Sequence, residues 1–468
     1  MKNNFGSLRL NNASHRVSNW LVPIFAGCLV LSNPAFSNLG LGQQISLRAS
    51  PASSLPDRVE VTYEAEGKLV VRETGRVQTL PMKVQAKFVF FERRPEIQQV
   101  GGVNGNSLRV AIRWYETAET SGTVDNQPVT AKLRADRRLV ALRADQTEFA
   151  LWSLAGPLTR AELDLLRPTC GTVVLEDLLP AQPVQKGSKW ELPGQALASL
   201  VGFDGLVSSD VEATLLEIAG DIARVEFGGK VEGASEAMSS AVSVKGRYQF
   251  SVSQGRMVWL GLAYHERRDP GPIAPGVDVV TKVAITIRPG VDCPQIADLR
   301  LVEAAINPRP EDLFLEEEPP GQLWRLHYDR RWHVTALTDR FCVLRYVDRG
   351  SYLAQCKIAR ANRPQQGMSL AQFQADIREA LGKQFHRFVH ASELRSVAGT
   401  PLYRVEAQGL VGDVPVLWIF YWIANPGGEA LVLSFTVEQS LYERFAQADK
   451  QLVEGLKFRV EEVAARPR

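Results

Sequence analysis

Histidine and cysteine are scarce in this sequence, whose 468 residues include 6 histidines and 5 cysteines. Sites built on either side chain therefore have few ways to form. Three signatures are missing altogether, namely G-x-S-x-G, H-E-x-x-H and the Walker-type glycine loop. These absences argue against a serine hydrolase with a nucleophile elbow, a zincin protease and a P-loop nucleotide-binding protein. We expect a protein that is not an enzyme and that carries no cofactor.

A strong charge of one sign is also missing, because the formal net charge is only +2. Three of the cations, Lys2, Arg9 and Arg16, lie before the first apolar run, so the rest of the chain is close to neutral. This balance favours neither nucleic acid nor an anionic membrane as a partner. We therefore expect no nucleic-acid partner.

Apolar runs long enough to span a bilayer are absent. Trp20 to Leu31 holds twelve residues, too few for about 30 Å of hydrocarbon. A basic, acid-free stretch precedes it, and Ala35-Phe36-Ser37 follows with small residues where a signal peptidase cleaves. This order predicts a signal peptide over residues 1–37, hence a periplasmic or secreted protein with no transmembrane anchor after cleavage. A buried N-terminal helix and a lipoprotein anchored at Cys28 stay open as alternatives.

Four cysteines follow the predicted leader, and an exported compartment permits disulfides. Between Cys342 and Cys356, Asp348-Arg349-Gly350 has the composition of a three-residue hairpin loop with glycine at its left-handed position. Counting outward from that loop places Cys342 opposite Cys356 as a close, non-hydrogen-bonded pair. A disulfide there is one interpretation, and two free thiols in a core is the other. The remaining pair is Cys170 with Cys293.

Strand patterns dominate residues 45–303. Arg58 to Tyr63 and Lys87 to Phe91 are rich in β-branched and aromatic residues. Apolar and polar residues alternate from Tyr248 to Ser253, which indicates one apolar face and one wet face. We predict a large antiparallel domain, a long-stranded meander or half-barrel. A short helical insert near residues 159–205 begins with a capping box, Thr159 to Glu162.

Residues 304–322 are predicted to form a linker. Asn307 to Gly321 contains four prolines and five acidic residues, which leave little to bury in a core. We expect a stiff, solvated spacer here.

Residues 323–460 are predicted to form a compact α+β domain. Its strands are expected at 342–347, 352–358, 402–407, 415–423 and 429–437, with helices at 370–381 and from Ser440 to Gly455. This order, over about 30% of the chain, resembles the PsbP-like fold, an antiparallel sheet covered by helices. The resemblance implies an exported or lipoprotein-type protein and brings no catalytic residues. The β-rich part more loosely resembles the lipoprotein carriers of the LolA type.

One cluster of potential metal ligands lies in the stretch from Arg325 to His333. His327, Asp329 and His333 would share one face if this stretch were a single strand, and would then hold zinc with an open position. The aromatic residues within and beside it indicate instead a strand entering a core. We therefore predict no metal and keep this trio as a weak candidate.

Aromatic residues supply the candidate ligand contacts. Trp418, Phe420 and Trp422 share one face of the predicted strand from Pro415 to Ile423, which suits the floor of an apolar pocket. The alternative is a central strand covered by helices on both faces. Trp259 lies in a β run with few helices nearby, so its sheet is expected to close on itself or to leave an apolar face for a ligand.

Together these patterns predict an exported, non-catalytic protein that binds an apolar or amphipathic ligand, such as a lipid, or an envelope protein. One alternative is a structural or assembly factor of the cell envelope without a small-molecule site. The other is a metal-dependent hydrolase built on His327, Asp329 and His333.

Overall fold

A computed structural model describes residues 44–50, 55–73, 76–95, 108–144, 149–203, 205–235, 238–271, 274–319, 321, 324–348, 351–361, 367–395, 401–425 and 427–459. The predicted signal peptide, residues 1–37, lies outside the described residues. The chain forms two compact units, Met1–Leu313 and Phe314–Arg468. Within the described part of the chain, every helix is too short or too polar to cross a bilayer.

The first unit is built on one antiparallel sheet of 13 strands. The sheet order is β6-β5-β3-β2-β1-β13-β12-β11-β10-β9-β7, with β4 beside β3 and β8 beside β10. The strands are β1 (Asp57–Glu73), β2 (Arg76–Arg93), β3 (Arg109–Val124), β4 (Gln127–Lys132), β5 (Leu139–Ala144), β6 (Phe149–Ser153), β7 (Lys189–Glu191), β8 (Gly205–Ser209), β9 (Glu212–Ala219), β10 (Ile222–Ser235), β11 (Met238–Ser251), β12 (Arg256–Arg268) and β13 (Gly276–Arg288). The predicted large antiparallel sheet is confirmed. Its two meanders meet where β1 pairs with β13.

Alternation along each strand gives this sheet two different faces. On β12, Leu260, Leu262 and Tyr264 are buried and define the apolar face. Trp259 and Ala263 point the other way, onto the polar face, where most side chains are charged or small. A strand with one dry and one wet face is what the alternating sequence predicts.

The helical insert covers the apolar face. It comprises α1 (Arg160–Leu166), a 3₁₀ segment (Arg167–Leu178) and α2 (Gly194–Val201). The capping box at α1 forms as predicted, since Thr159 accepts from the Glu162 N–H. The carbonyl of Leu178 accepts hydrogen bonds from Tyr248 Oη at 3.1 Å and from Trp190 Nε1 at 3.2 Å. The chain itself thus fills the side of the sheet that was expected to receive a ligand.

A buried ion pair fastens the insert to the sheet. Arg113 of β3 is completely buried, and its Nε donates to Glu92 Oε2 at 2.8 Å. Its two Nη atoms donate to Thr172 Oγ1 at 2.8 Å and to Thr169 Oγ1 at 3.0 Å, both on the insert. Burial alone would raise the pKa of Glu92, but Arg113 and Arg94 hold it below its usual value. Every charge in this cluster is therefore compensated.

A short helix, α3 (Arg300–Ile306), follows the sheet in the first unit. Its Ala305 belongs to a cluster with Val110, Ile112 and Trp152, against which Leu313 also packs. The predicted linker is therefore wrong in part. Residues up to Leu313 pack on the first unit, and Leu315 is fully buried in the second.

The second unit holds a seven-stranded antiparallel sheet and a three-stranded one. The larger has the order β16-β17-β18-β22-β21-β20-β19 and the smaller β14-β15-β23. Their strands are β14 (Leu315–Glu317), β15 (Trp324–Tyr328), β16 (Trp332–Leu337), β17 (Phe341–Asp348), β18 (Ser351–Arg360), β19 (Phe385–Arg395), β20 (Pro401–Val411), β21 (Val414–Ala424), β22 (Ala430–Glu438) and β23 (Leu456–Phe458). All five predicted strands are present.

Helices cover both faces of the larger sheet. On one face, Phe373 and Ile377 of α4 (Leu370–Leu381) join a core cluster with Tyr403 and Trp422. The bounds of α4 and its Ser369 cap are those predicted. On the other face, Phe445 packs edge-on against Trp332 with ring centroids 6.1 Å apart.

The predicted single closing helix is wrong. The segment forms α5 (Tyr442–Phe445) and α6 (Ala448–Glu454), separated at Gln447, whose φ is +64°. A continuous helix would not carry a residue in the left-handed region. The break accompanies two separate anchors, Phe445 in the aromatic core and Asp449, which accepts from Arg404 Nη2 at 2.9 Å.

Candidate functional site: a tryptophan groove on the polar face

A groove of about 660 Å³ lies on the polar face of the large sheet. Five adjacent strands, β9 to β13, contribute to it. Its lining combines one partly exposed tryptophan ring, two buried apolar side chains, small residues, and polar or charged side chains: Glu212, Thr214, Glu226, Phe227, Gly228, Lys245, Gly246, Arg247, Trp259, Gly261, Leu262, Ala263 and Lys282. The strand register explains the set, because Gly261 pairs with Arg247 on one side and with Ala284 on the other.

Trp259 lies over Gly261, two residues further along the same strand. A Cβ built on Gly261 would come within 2.5 Å of Trp259 Cη2 and 2.8 Å of Cζ2. Only glycine leaves room for the indole ring in this position. The side chain is partly exposed, although most large apolar side chains of this unit are buried. The groove therefore presents one tryptophan surface to solvent.

Charged side chains line the same groove, and most of them are paired. Arg247 Nη2 donates to Glu226 Oε2 at 3.0 Å across β10 and β11. Lys189 Nζ donates to Glu212 Oε1 at 2.6 Å at the far end of the groove. These pairs hold planar polar groups in place beside an aromatic surface, which suits a ligand with both apolar and hydrogen-bonding faces.

A second hollow, of about 490 Å³, lies on the same face around His265 and Asp278. His265 Nε2 and Asp278 Oδ1 are 2.7 Å apart, and hydrogen bonds from His265 and Lys68 lower the pKa of Asp278. Ser243 is opposite His265 in the strand register, so Ser, His and Asp lie in order across β11, β12 and β13.

This order does not build a hydrolase site. Among the described contacts, no hydrogen bond joins Ser243 to His265. The neighbouring backbone N–H groups belong to the ladders of β11, β12 and β13, so they are not free to stabilise an oxyanion. The pair is better explained as part of the charged surface.

Trp418, Phe420 and Trp422, the other candidate ligand residues, lie in the second unit on the interior strand β21. Trp418 and Trp422 are buried, and Trp422 stacks on Tyr403 with ring centroids 5.4 Å apart and an angle of 20°. Phe420 is partly buried against the cluster that contains Phe373 of α4. The structure thus places these three rings in a core region and Trp259 beside a groove.

The proposed metal trio does not form. The stretch expected to be one strand is two, β15 and β16, separated by a turn after Asp329. Asp329 accepts from Arg331 Nε at 2.9 Å, and His327 Nε2 lies 3.8 Å from Glu316 Oε2. In the part of the chain that the structure describes, no three His, Cys, Asp or Glu side chains come together as a metal site.

The predicted cysteine pairing is also wrong. In the structure Asp348 pairs with Ser351, and a bulge between Tyr346 and Val347 shifts the strand register further. As a result, Cys342 is opposite Ile358 and Cys356 is opposite Leu344. Cys342, Cys356, Cys170 and Cys293 are all buried, and no disulfide joins any of these four. Burial raises the pKa of the Cys342 and Cys356 thiols, which keeps them in the unreactive neutral form.

The sequence named Trp259 as a candidate ligand contact but not the charged residues that line the same groove. Glu226, Arg247 and Lys245 lie on strands whose alternation assigns them to the wet face, which carries no signal of a site. The usable signal was Trp259-x-Gly261, an aromatic residue two positions before a glycine within one strand.

Similarity to known proteins is found among solved structures only. No family model matches the chain, and no curated protein matches it. Solved structures that match 31% of the chain include protein PA94 from Pseudomonas aeruginosa, at 14% identity over 98% of that protein with a TM-score of 0.23. The Ran-binding protein Mog1p of Saccharomyces cerevisiae matches at 10% identity over 95% of its length, with a TM-score of 0.26.

Cyanobacterial PsbP from Synechocystis matches at 12% identity, also over 31% of this chain and 92% of that one, with a TM-score of 0.24. The structural neighbours thus include PsbP-like and Mog1 proteins over about a third of the chain, in part as the resemblance implied. Matches at these scores assign no function, and the likeness to LolA-type carriers stays a prediction.

Proposed function

We propose that this is an exported, non-catalytic protein that binds an amphipathic ligand in the groove around Trp259. The observation that carries the proposal is a partly exposed tryptophan in a concave site on an otherwise polar sheet face. Burying an aromatic side chain contributes roughly 2–3 kcal/mol, so an exposed ring in a groove is a ready source of binding free energy.

Because the helical insert covers the apolar face of the sheet, the polar face is the better location for the ligand-binding site. A carrier that holds its ligand between sheet and helices needs a free apolar cavity, whereas here the insert occupies that side through Leu163, Leu166, Val173 and Leu178. Charged side chains and apolar surface both line the Trp259 groove, so an amphipathic ligand suits it better than a purely apolar chain.

Native mass spectrometry of the protein purified from an exporting host tests the proposal. A mass excess of several hundred daltons that organic solvent removes is expected for the native chain and not for Trp259→Ala. Leu299→Ala is the matched control, because Leu299 is 71% exposed in the same unit and lies outside the groove. A bare mass for all three, unchanged after incubation with envelope extract, contradicts binding. The same spectra report whether the leader has been removed.

A second candidate, an assembly factor of the cell envelope, is favoured by one feature of the second unit. The tip of the β20–β21 hairpin exposes Leu410, Val411 and Val414, at 36%, 43% and 45% of their surface. Adjacent exposed apolar residues at a protruding tip are typical of a protein contact. Val411→Glu is expected to abolish a specific photo-crosslink made from position 414 in intact cells. A crosslink that Val411→Glu leaves unchanged contradicts this role.

A further inference from the structure

We propose that the ligand of the Trp259 groove is an oligosaccharide segment of about three or four sugar rings. This inference rests on the proposed function, because it names the chemical class that occupies the same groove. Three properties carry it: the length of the groove, the chemistry of its lining and the geometry of its charged pairs.

The length of the groove fits a short glycan. Its lining residues run from Glu212 and Thr214 on β9 to Lys282 on β13. Five strands have four spacings of about 4.8 Å, so the groove crosses about 19 Å of sheet. An extended chain of about three or four pyranose rings has this length and lies across strands without entering the sheet.

The lining favours a sugar over a lipid. An acyl chain gains about 0.8 kcal/mol for each buried CH₂ and therefore needs enclosing apolar walls. Here Trp259 is the large apolar side chain of the lining that solvent reaches, because Phe227 and Leu262 are buried, and Glu212, Glu226, Lys245 and Arg247 line the same groove. A pyranose ring matches that arrangement, since its C–H face stacks on an indole while its hydroxyl groups point outward to polar partners.

The charges favour a glycan over a nucleic acid as well. Both ligands stack on tryptophan, but a nucleic acid needs a clear excess of cations, whereas Glu212 and Glu226 nearly balance Lys245, Arg247 and Lys282 here. A carboxylate and a guanidinium held together are suited to neighbouring hydroxyl groups, which donate to one and accept from the other. Arg247 and Glu226, 3.0 Å apart, form such a pair beside Gly261.

The floor of the groove is built from small residues that let a ring approach the backbone. Gly228, Gly261 and Ala263 leave the sheet surface bare next to the indole. Gly261 also fixes the position of the indole ring, because the absence of a Cβ leaves space for Trp259 Cη2 and Cζ2. Gly261→Ala therefore moves the ring without removing it.

Titration calorimetry and tryptophan fluorescence of the full chain test the inference. The probes are soluble hexasaccharides of neutral hexoses, N-acetylated amino sugars and uronic acids, each with its disaccharide. At least one hexasaccharide is expected to bind, at least tenfold more tightly than its disaccharide. Trp259→Ala is expected to weaken that binding at least tenfold and Gly261→Ala several-fold, whereas Leu299→Ala leaves it unchanged.

The outcomes separate this inference from the proposed function. If no hexasaccharide binds while the native chain, unlike Trp259→Ala, takes up an amphiphile from envelope extract, the glycan is wrong and the groove remains a binding site. If neither class binds, both are wrong. Sugar binding that Trp259→Ala leaves intact contradicts the proposed location. Melting curves of each variant exclude loss of folding as the cause.

Discussion

The two large sheets of this protein differ in how many of their faces are covered, and tryptophan side chains on them therefore lie in different environments. In the second unit, helices cover both faces of the sheet, so Trp418 and Trp422 on the interior strand β21 are buried. In the first unit the insert covers one face only, and Trp259 on the other face borders a groove. An aromatic strand in sequence therefore belongs to a core or to a surface according to which other segments of the chain pack on it.

The largest effect on stability is expected from removing an aromatic side chain of the second unit's sheet, both faces of which are covered by helices. Trp422→Ala leaves a cavity between β21 and α4 where the indole stacks on Tyr403, which costs about 3–5 kcal/mol of the free energy of unfolding. Trp259→Ala is expected to change stability by less than about 1 kcal/mol, because its ring is already partly solvated. Urea unfolding of both variants measures the difference, and equal losses would remove the contrast between the sheets.

A loss of stability of similar size is expected from breaking the buried ion pair that joins the helical insert to the sheet of the first unit. Arg113→Ala leaves Glu92 buried without its main partner, which costs about 3–5 kcal/mol. Arg247→Ala is the control, since it breaks an exposed pair with Glu226 and costs no more than about 1 kcal/mol. Thermal unfolding monitored by circular dichroism reports both. A stable Arg113→Ala chain would mean that apolar packing alone holds the insert.

A pH effect of intermediate size is expected in the second unit. Burial, with Glu316 alongside, raises the pKa of Glu317 to about 7 from a usual 4.5. Between these values the folded state holds a proton that the unfolded state has released, so stability falls as pH rises from about 4.5 to about 7. Glu317→Gln is expected to add about 1–3 kcal/mol at pH 8 and nothing at pH 4.

Glu318→Gln is the matched control for that titration, because Glu318 is half-exposed and 3.0 Å from Arg459. Denaturant midpoints of the three proteins at pH 4, 6 and 8 give the comparison. A midpoint difference between native and Glu317→Gln proteins that does not change with pH would contradict the assignment.

The smallest effect on stability is expected at the groove floor. Gly261→Ala is expected to change the free energy of unfolding by about 1 kcal/mol or less, because Trp259 can swing into solvent. The fluorescence maximum of that indole shifts to longer wavelength as it becomes more exposed. An unchanged spectrum relative to the native chain, with Trp259→Ala as the reference, would show that the ring does not rest on Gly261.

Local chemistry was predictable where it acts over a few residues. The helix from Leu370 to Leu381 with its Ser369 cap and the capping box at Thr159 were predicted at the observed positions. The strand register between Cys342 and Cys356 was not predicted correctly. A bulge between Tyr346 and Val347 shifts that register, and the residue types give no signal of the bulge. The break at Gln447 likewise follows from two tertiary anchors and not from helix propensity.

The candidate site shows the same division. The sequence predicted Trp259 as a ligand contact on an apolar face, and the structure puts the residue on the polar face of the sheet. Strand alternation was correct, but the neighbours Arg247 and Ala284 come from two other strands whose register is fixed only by folding. Because five strands form the groove, no single segment of the sequence could indicate it.

The sequence by itself determined the two sheets, the wet and dry faces of their strands and the helical insert between two strand runs, because periodicity and capping are local properties. Tertiary structure decided which face the insert covers, whether the cysteines meet and where an aromatic ring stays in contact with water. These outcomes depend on strand register and on pairings between residues more than a hundred positions apart, such as Arg256 Nη1 with Asp57 Oδ2 at 3.0 Å. Whether residues that far apart in sequence come into contact depends on the whole fold and not on any single segment.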